Sequence, residues 1–386
     1  MNFLTGIRIL DLSRLLPGPY ATQLLANLGA EVIKIERPPE GDYARAMPPY
    51  IALRGDQFEG AVFAQNNRRK KSVALDFDAP RGRAVLLRMC ERADVFIESF
   101  RPGALARRGL GYENIRAHNP KIIYCSLSGY GQTGPLRDRA GHDLNYVALA
   151  GMLLQNAARG NPPHPLPVQV ADLAGGMRAA LQIVATLFER ERTGVGTVLD
   201  VALFDAAVEW TQTVLGATYH AENELPARGE LSLTGAYPCY NVYATRDDGF
   251  IALGALEPIF WKAFCVKVGR ADLIDFQFDA EKISDVAEIF KTRTRAEWVE
   301  FSHRGDISSR TTRHTHTMRD DMSVDCCMEP LLDVGEMYKH PQVVERNLIQ
   351  NEMRVPRFGE DTETVLREMG VEEREIREMR KTRIIE

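Results

Sequence analysis

Two groups able to move protons stand out in the 386-residue chain. His142 lies in Gly-His-Asp-Leu-Asn-Tyr. Asp172, thirty residues later, lies in Val-Ala-Asp-Leu-Ala-Gly-Gly. A loop punctuated by Pro162, Pro163, Pro165 and Pro167 separates them. The apolar run 146–154 and the small-residue run 173–180 read as helices, which places each polar group near a helix start. Unpaired N–H groups there favour negative charge. Asp172 is therefore expected to stay ionised at neutral pH, with a nearby imidazole tunable across it. On pattern alone, an acid such as Asp172 before a small-residue run is more often a helix N-cap than a catalyst, and a single histidine is usually structural.

The elements that must hold these groups alternate in type. Gly6–Ser13, Glu31–Ile35, Val73–Phe77, Asp94–Glu98 and Ile122–Ser126 read as short strands, with helices over Tyr20–Leu28 and Arg81–Arg92 between them. That alternation predicts an α/β fold with a largely parallel sheet. The first strand is followed by Ser13-Arg14-Leu15-Leu16-Pro17-Gly18-Pro19 and not by G-x-G-x-x-G, which argues against an ordinary dinucleotide site. Two long helices, 171–194 and 202–219, flank a strand near 197–199. A polar, Gly/Pro-punctuated stretch at 221–235 reads as a linker. Beyond it come a hairpin (241–245 and 250–253) and helices over 257–268, 280–290 and 295–301. A strand at 343–348 and helices at 362–369 and 372–379 close the chain. The expected division is a large domain over 1–224, a small one over 225–325, and a segment 326–386 returning to the large domain.

Composition bounds the function. The chain is long for a single core, and with 45 % hydrophobic and 26 % charged residues it reads as soluble and globular. A net charge of −5 gives no reason to expect nucleic acid. No run of about 18 apolar residues predicts a membrane span, and the first residues lack a signal-peptide layout, so cytoplasm is the expected location. Six cysteines form no C-x-x-C pair, which suits reduced thiols. Cations crowd the first part of the chain: Arg14, Arg37, the run 68–71, Arg101, Arg107 and Arg108. The run suits a solvated face, whereas Glu36-Arg37-Pro38 and Phe100-Arg101-Pro102-Gly103 place cations in turns, as phosphate clamping needs. Glu257, in Gly-Ala-Leu-Glu-Pro, sits where an acid at a helix start needs no function. The polar stretch 302–324 contains His314 and His316, but no carboxylate or thiol spacing completes a metal site, and a solvated loop is expected.

The strings Ala-Gly-His-Asp-Leu-Asn-Tyr and Val-Ala-Asp-Leu-Ala-Gly-Gly, with their spacing, resemble the class III CoA-transferase (CaiB/BaiF) family, most closely its α-methylacyl-CoA racemase branch. The resemblance runs nearly end to end. It implies a Rossmann-like large domain and a smaller α+β domain in an interlocked homodimer, with His142 and Asp172 from one subunit and Glu257 from the other. It implies coenzyme A contacts at Arg37, Arg101, Arg107, Asp143 and Tyr146. The Ala-Leu-Glu-Pro loop around Glu257 resembles the racemase version of a loop that is glycine-rich in transferases. Trp298 and Asp325-Cys326-Cys327 bracket a longer insertion than the family's pattern usually has. The implied reaction is inversion of the α-carbon of a 2-methylacyl-CoA, with His142 and Asp172 as the two bases and Glu257 supporting them. No metal or redox cofactor is implied, since coenzyme A belongs to the substrate. Two alternatives stay open: a CoA-transferase in which Asp172 forms an anhydride, and a catalytically silent CoA-binding subunit.

Overall fold

Runs of β-branched and aliphatic residues, each too short for a buried helix, form the central strands in a computed structural model that describes residues 2–53, 58–158, 160–303, 325–349 and 354–386. In chain order the first part comprises β1 (Arg8–Leu12), α1 (Pro17–Asn27), β2 (Glu31–Glu36), β3 (Tyr50–Ala52), β4 (Phe58–Gly60), α2 (Ala61–Asn66), β5 (Lys71–Ala74), α3 (Pro80–Cys90) and β6 (Val95–Glu98). It continues with α4 (Ala104–Arg107), α5 (Tyr112–His118), β7 (Ile123–Ser128), α6 (Asp143–Leu149), α7 (Val170–Thr193), β8 (Val198–Ala202), α8 (Leu203–Thr211) and α9 (Ala217–Glu222). Strands β1, β2, β5, β6, β7 and β8 make one parallel sheet in the order β5-β2-β1-β6-β7-β8. A parallel sheet needs cover on both faces. One face packs with Phe96, Met89 and Leu366, the other with Ile97, Leu25 and Ile183.

The chain divides into two compact units. The first holds Met1–Leu153, Leu166–Thr218 and Asn351–Glu386 and contains the parallel sheet. Its last described segment carries α15 (Thr362–Glu368) and α16 (Glu373–Lys381), whose Val365, Leu366, Ile376 and Met379 complete one of the two cores. The second unit, Leu154–Pro165 with Tyr219–Gln350, has an antiparallel sheet of β9 (Tyr240–Ala244), β10 (Phe250–Gly254) and β11 (Met328–Pro330). Around it lie α10 (Pro258–Lys267), α11 (Ile283–Phe290), α12 (Arg295–His303), α13 (Val334–Lys339) and α14 (Pro341–Glu345). Its core is aromatic: Phe290 stacks on Tyr243 and Phe264, and buried Trp298 donates from Nε1 to Phe290 O at 2.8 Å.

Two expectations change. The segment from 326 does not return at once to the large domain, because β11 pairs with β10 and keeps 328–330 in the second unit's sheet. Residues 343–348 do not form a strand: Pro341 opens α14, and His340 Nδ1 accepts the Gln342 N–H at 3.2 Å as its cap. Among the described residues, α7 is long and apolar enough to cross a membrane by length and composition alone. It is a core helix that packs on α1 and α8, with Ala174, Ala179 and Ile183 buried. The polar stretch from 304 to 324, with His314 and His316, lies outside the described residues.

Candidate active site

At β1 and β6 the sheet order reverses, and the crevice beyond the carboxyl ends of those strands is where open α/β sheets bind ligands. A cavity of about 490 Å³ lies there. Arg14, Leu15 and Pro17 after β1, residues 99–102 after β6, Leu127 and Ser128 at the end of β7, and Gly129 and Tyr130 after it form its walls. Arg137–His142, Tyr146 and Asp172 close it, so the lining is drawn entirely from the first unit.

His142 and Asp172 reach this cavity from two helix starts. His142 is the N-cap of α6, and Asn145 Oδ1 accepts its backbone N–H at 3.0 Å, locking the first turn. Asp172 lies in the first turn of α7. The glycine pair after it has a packing reason: a Cβ on Gly176 would stand 2.6 Å from Pro17 O, so only glycine lets α7 approach the start of α1 this closely. The two helix starts meet through Asp143, whose Oδ1 accepts the Asp172 N–H at 3.1 Å. That contact overturns one expectation. Asp172 is not held in the ordinary carboxylate range: burial and the neighbouring Asp143 push its carboxyl up to about 7. Tyr146, one turn into α6, donates from its hydroxyl to Gly141 O at 2.6 Å and packs edge-on to Tyr130. Burial, with Asp172 nearby, pushes the Tyr146 phenol well above its ordinary value, so it remains a proton donor.

The loops after β1 and β6 that complete the lining are moulded by buried charge. Asp11, fully buried at the end of β1, accepts from Ser13 N at 2.9 Å, Thr22 Oγ1 at 2.6 Å and Lys70 Nζ at 3.1 Å. Lys34 donates to Ser13 O at 2.8 Å and pairs with Asp42 at 3.0 Å. Asp42 in turn accepts the Leu15 N–H at 3.2 Å, holding Leu15 at a φ of 64°. After β6, Glu98 Oε2 accepts the Phe100 N–H at 2.7 Å, while Ser126 Oγ donates to Oε1 at 2.7 Å. Burial pushes the Glu98 carboxyl up to about 7 despite those two hydrogen bonds. The Arg14 guanidinium lies 4.9 Å from the centre of the Phe100 ring, joining the two loops.

Of the residues singled out in the sequence, His142, Asp172, Arg101 and Tyr146 line this cavity. Asp143 stands behind it on the Asp172 N–H. Arg107, exposed at the end of α4, flanks the Gly103 turn together with Arg137. Arg37 is not in the lining; it pairs with Asp78 at 2.5 Å and borders a smaller neighbouring pocket. Glu257 belongs to the second unit, as the exposed N-cap of α10. Within the basic run, Lys70 is buried on Asp11, and Lys71 pairs with Glu31 at 2.7 Å and Glu368 at 2.8 Å. Neither suits phosphate clamping. Sequence reasoning passed over Tyr43, Glu98, Ser99, Arg137 and Arg139. Strand ends marked two of these, and the cations of Arg-Asp-Arg just before Ala140-Gly141-His142 marked two more.

Residues 4–365 match CoA-transferase family III. The chain is 32 % identical to the human alpha-methylacyl-CoA racemase, with 99 % of this chain and 97 % of that protein covered. It is 39 % identical to the mouse succinyl-CoA:glutarate CoA-transferase over 71 % of this chain and 62 % of that one. A crystal structure of a CAIB/BAIF family protein from Brucella suis superposes with a TM-score of 0.79 at 27 % identity, covering 96 % of this chain and all of the other.

Proposed function

The chain belongs to CoA-transferase family III, and on that premise we propose that it is a racemase of 2-methylacyl-CoA thioesters. The observation that carries this reading is the presence of His142 in the lining of one cavity together with Asp172, whose carboxyl is pushed up to about 7. A carboxyl at that value can both take and return a proton at neutral pH, which suits acid–base work. The thioester carbonyl makes the α-proton removable. One group takes that proton, leaving a planar enolate, and the other delivers a proton to the opposite face. Coenzyme A enters as part of the substrate, with Arg101, Arg107 and Tyr146 as its proposed contacts and Arg37 as a more distant one. Glu257 is assigned a supporting role at the site of a partner subunit in a homodimer. The full-length relation to a racemase supports this reading.

The second reading, acyl-CoA transfer through an Asp172 anhydride, is supported by relatives that are transferases, such as the mouse glutarate enzyme. Incubating the protein with a single epimer of a 2-methylacyl-CoA in deuterated water separates the two. Epimerisation with α-deuterium uptake and no added acid is the racemase result. Acyl exchange that requires an added carboxylate, with no α-exchange, would replace it with the transferase.

A further inference from the structure

We propose that Glu98 is a positioning residue for the thioester ligand, holding the turn that presents Phe100 and Arg101 to the cavity. Glu98 ends β6 and is only 5 % exposed. Among the described residues it makes no ion pair, although a buried carboxyl is expensive without one. Filling space does not require an acid there. The carboxyl instead supplies two acceptor oxygens, one for the turn that follows β6 and one for the neighbouring strand β7. Oε2 takes the Phe100 N–H at 2.7 Å, and Oε1 takes the Ser126 hydroxyl of β7 at 2.7 Å. The first residues after β6 are thereby tied to the adjacent strand.

The tie extends across the crevice. Phe100 packs edge-on to Phe77 with ring centres 6.2 Å apart, and it carries the Arg14 guanidinium against its ring. Ser99 Oγ accepts the Arg14 N–H at 3.0 Å. The loops after β1 and β6 are therefore joined to each other, and Glu98 ties the second of them to β7. Both Arg14 and Arg101 line the cavity, and neither has an ion-pair partner among the described residues. An anionic ligand meets them already placed, without having to order the turn itself.

This inference rests on the reading of the ligand as a coenzyme A thioester, and calorimetry with free coenzyme A tests the two separately. Glu98→Gln keeps the geometry: its amide oxygen accepts from Phe100, and its NH₂ donates to a rotated Ser126 hydroxyl. It should bind within about two-fold of the unmodified protein, whereas Glu98→Ala should bind about ten-fold or more weakly, because the turn must then be ordered by the ligand. In turnover, Glu98→Ala should raise KM while leaving kcat within a few-fold, and Glu98→Gln should restore KM. A Glu98→Ala protein that melts lower but binds coenzyme A normally would reduce Glu98 to a structural residue. Should Glu98→Ala not fold, Glu98→Asp, too short to reach both partners, takes its place under the same criterion. Absence of coenzyme A binding by the unmodified protein removes the ligand reading and the inference with it.

Discussion

Asp11 and Asp172 are both carboxyl groups withdrawn from water in the same unit, and they end in opposite states. For each, burial pushes the carboxyl upward. Around Asp11, Lys70, Lys34, Ser13 and Thr22 outweigh that push and hold it well below the ordinary range. Lys70 itself, fully buried, falls to about 8. Beside Asp172 the charge that acts on it is Asp143, of the same sign, and burial together with that charge lifts the carboxyl to about 7. Burial is common to the two; the partner decides between them. The first arrangement yields fixed geometry for the loop after β1, and the second yields a group that can change state at neutral pH.

The strongest way to break the comparison is Asp172→Asn, which keeps the shape and removes the proposed proton carrier. Inversion of a 2-methylacyl-CoA should fall by about 10²–10⁴-fold, the usual worth of a positioned acid or base, measured by chiral analysis of product. Lys70→Met attacks the other region. Leaving Asp11 buried without its lysine should destabilise the fold by about 3–5 kcal/mol in urea unfolding, because an uncompensated charge remains inside.

The pH dependence of stability should run in opposite directions. The folded state holds a proton on Asp172 that the unfolded state releases, so the unmodified protein should lose stability relative to Asp172→Asn as pH rises from 3.8 to about 7. Asp11, depressed in the fold, stabilises it above its ordinary value of 3.8 and loses that contribution as pH falls below it. Asp11→Asn should therefore compare best with the unmodified protein in acid. Melting curves across pH for both variants check the signs; parallel curves would show that the partner makes no difference.

The smallest effect separates two arginines. Arg101→Ala should weaken coenzyme A binding by about 1–3 kcal/mol if it makes a charge-assisted phosphate contact. Arg37 is already engaged with Asp78 at 2.5 Å, and Arg37→Ala should change fold stability by only about 0–1 kcal/mol, as exposed pairs do. Its effect on coenzyme A binding should be the lesser of the two by calorimetry.

The sheet was legible because each of its strands is a local pattern: Ile9–Leu12, Val32–Ile35 and Val95–Ile97 are apolar runs that a parallel sheet buries on both faces. The hairpin at 240–254 and the length of α7 were legible for the same local reason. What escaped depends on partners distant in the sequence. Asp172 looked ionised until α6 brought Asp143 to its N–H. Arg37 looked free until Asp78, forty-one residues away, closed on it. Lys70 sat in a run that reads as solvated, yet its ammonium reaches Asp11 across β2 and β1. Charges report a function only through their neighbours, and neighbours are a property of the fold.

The way the first unit is split along the chain also orders its manufacture. Residues 219–350 belong to the second unit and must leave the ribosome before the first unit can finish. Val365, Leu366, Ile376, Met379 and Ile385 cover one face of a sheet begun at Arg8, and Ile385 bridges back to Leu75. Until those residues emerge, Val73, Leu86 and Phe96 lack part of their cover. A nascent chain thus carries an apolar sheet face through most of its synthesis, the interval in which unfinished proteins are most prone to wrong association. For this protein, the tail sets the moment at which the beginning becomes stable.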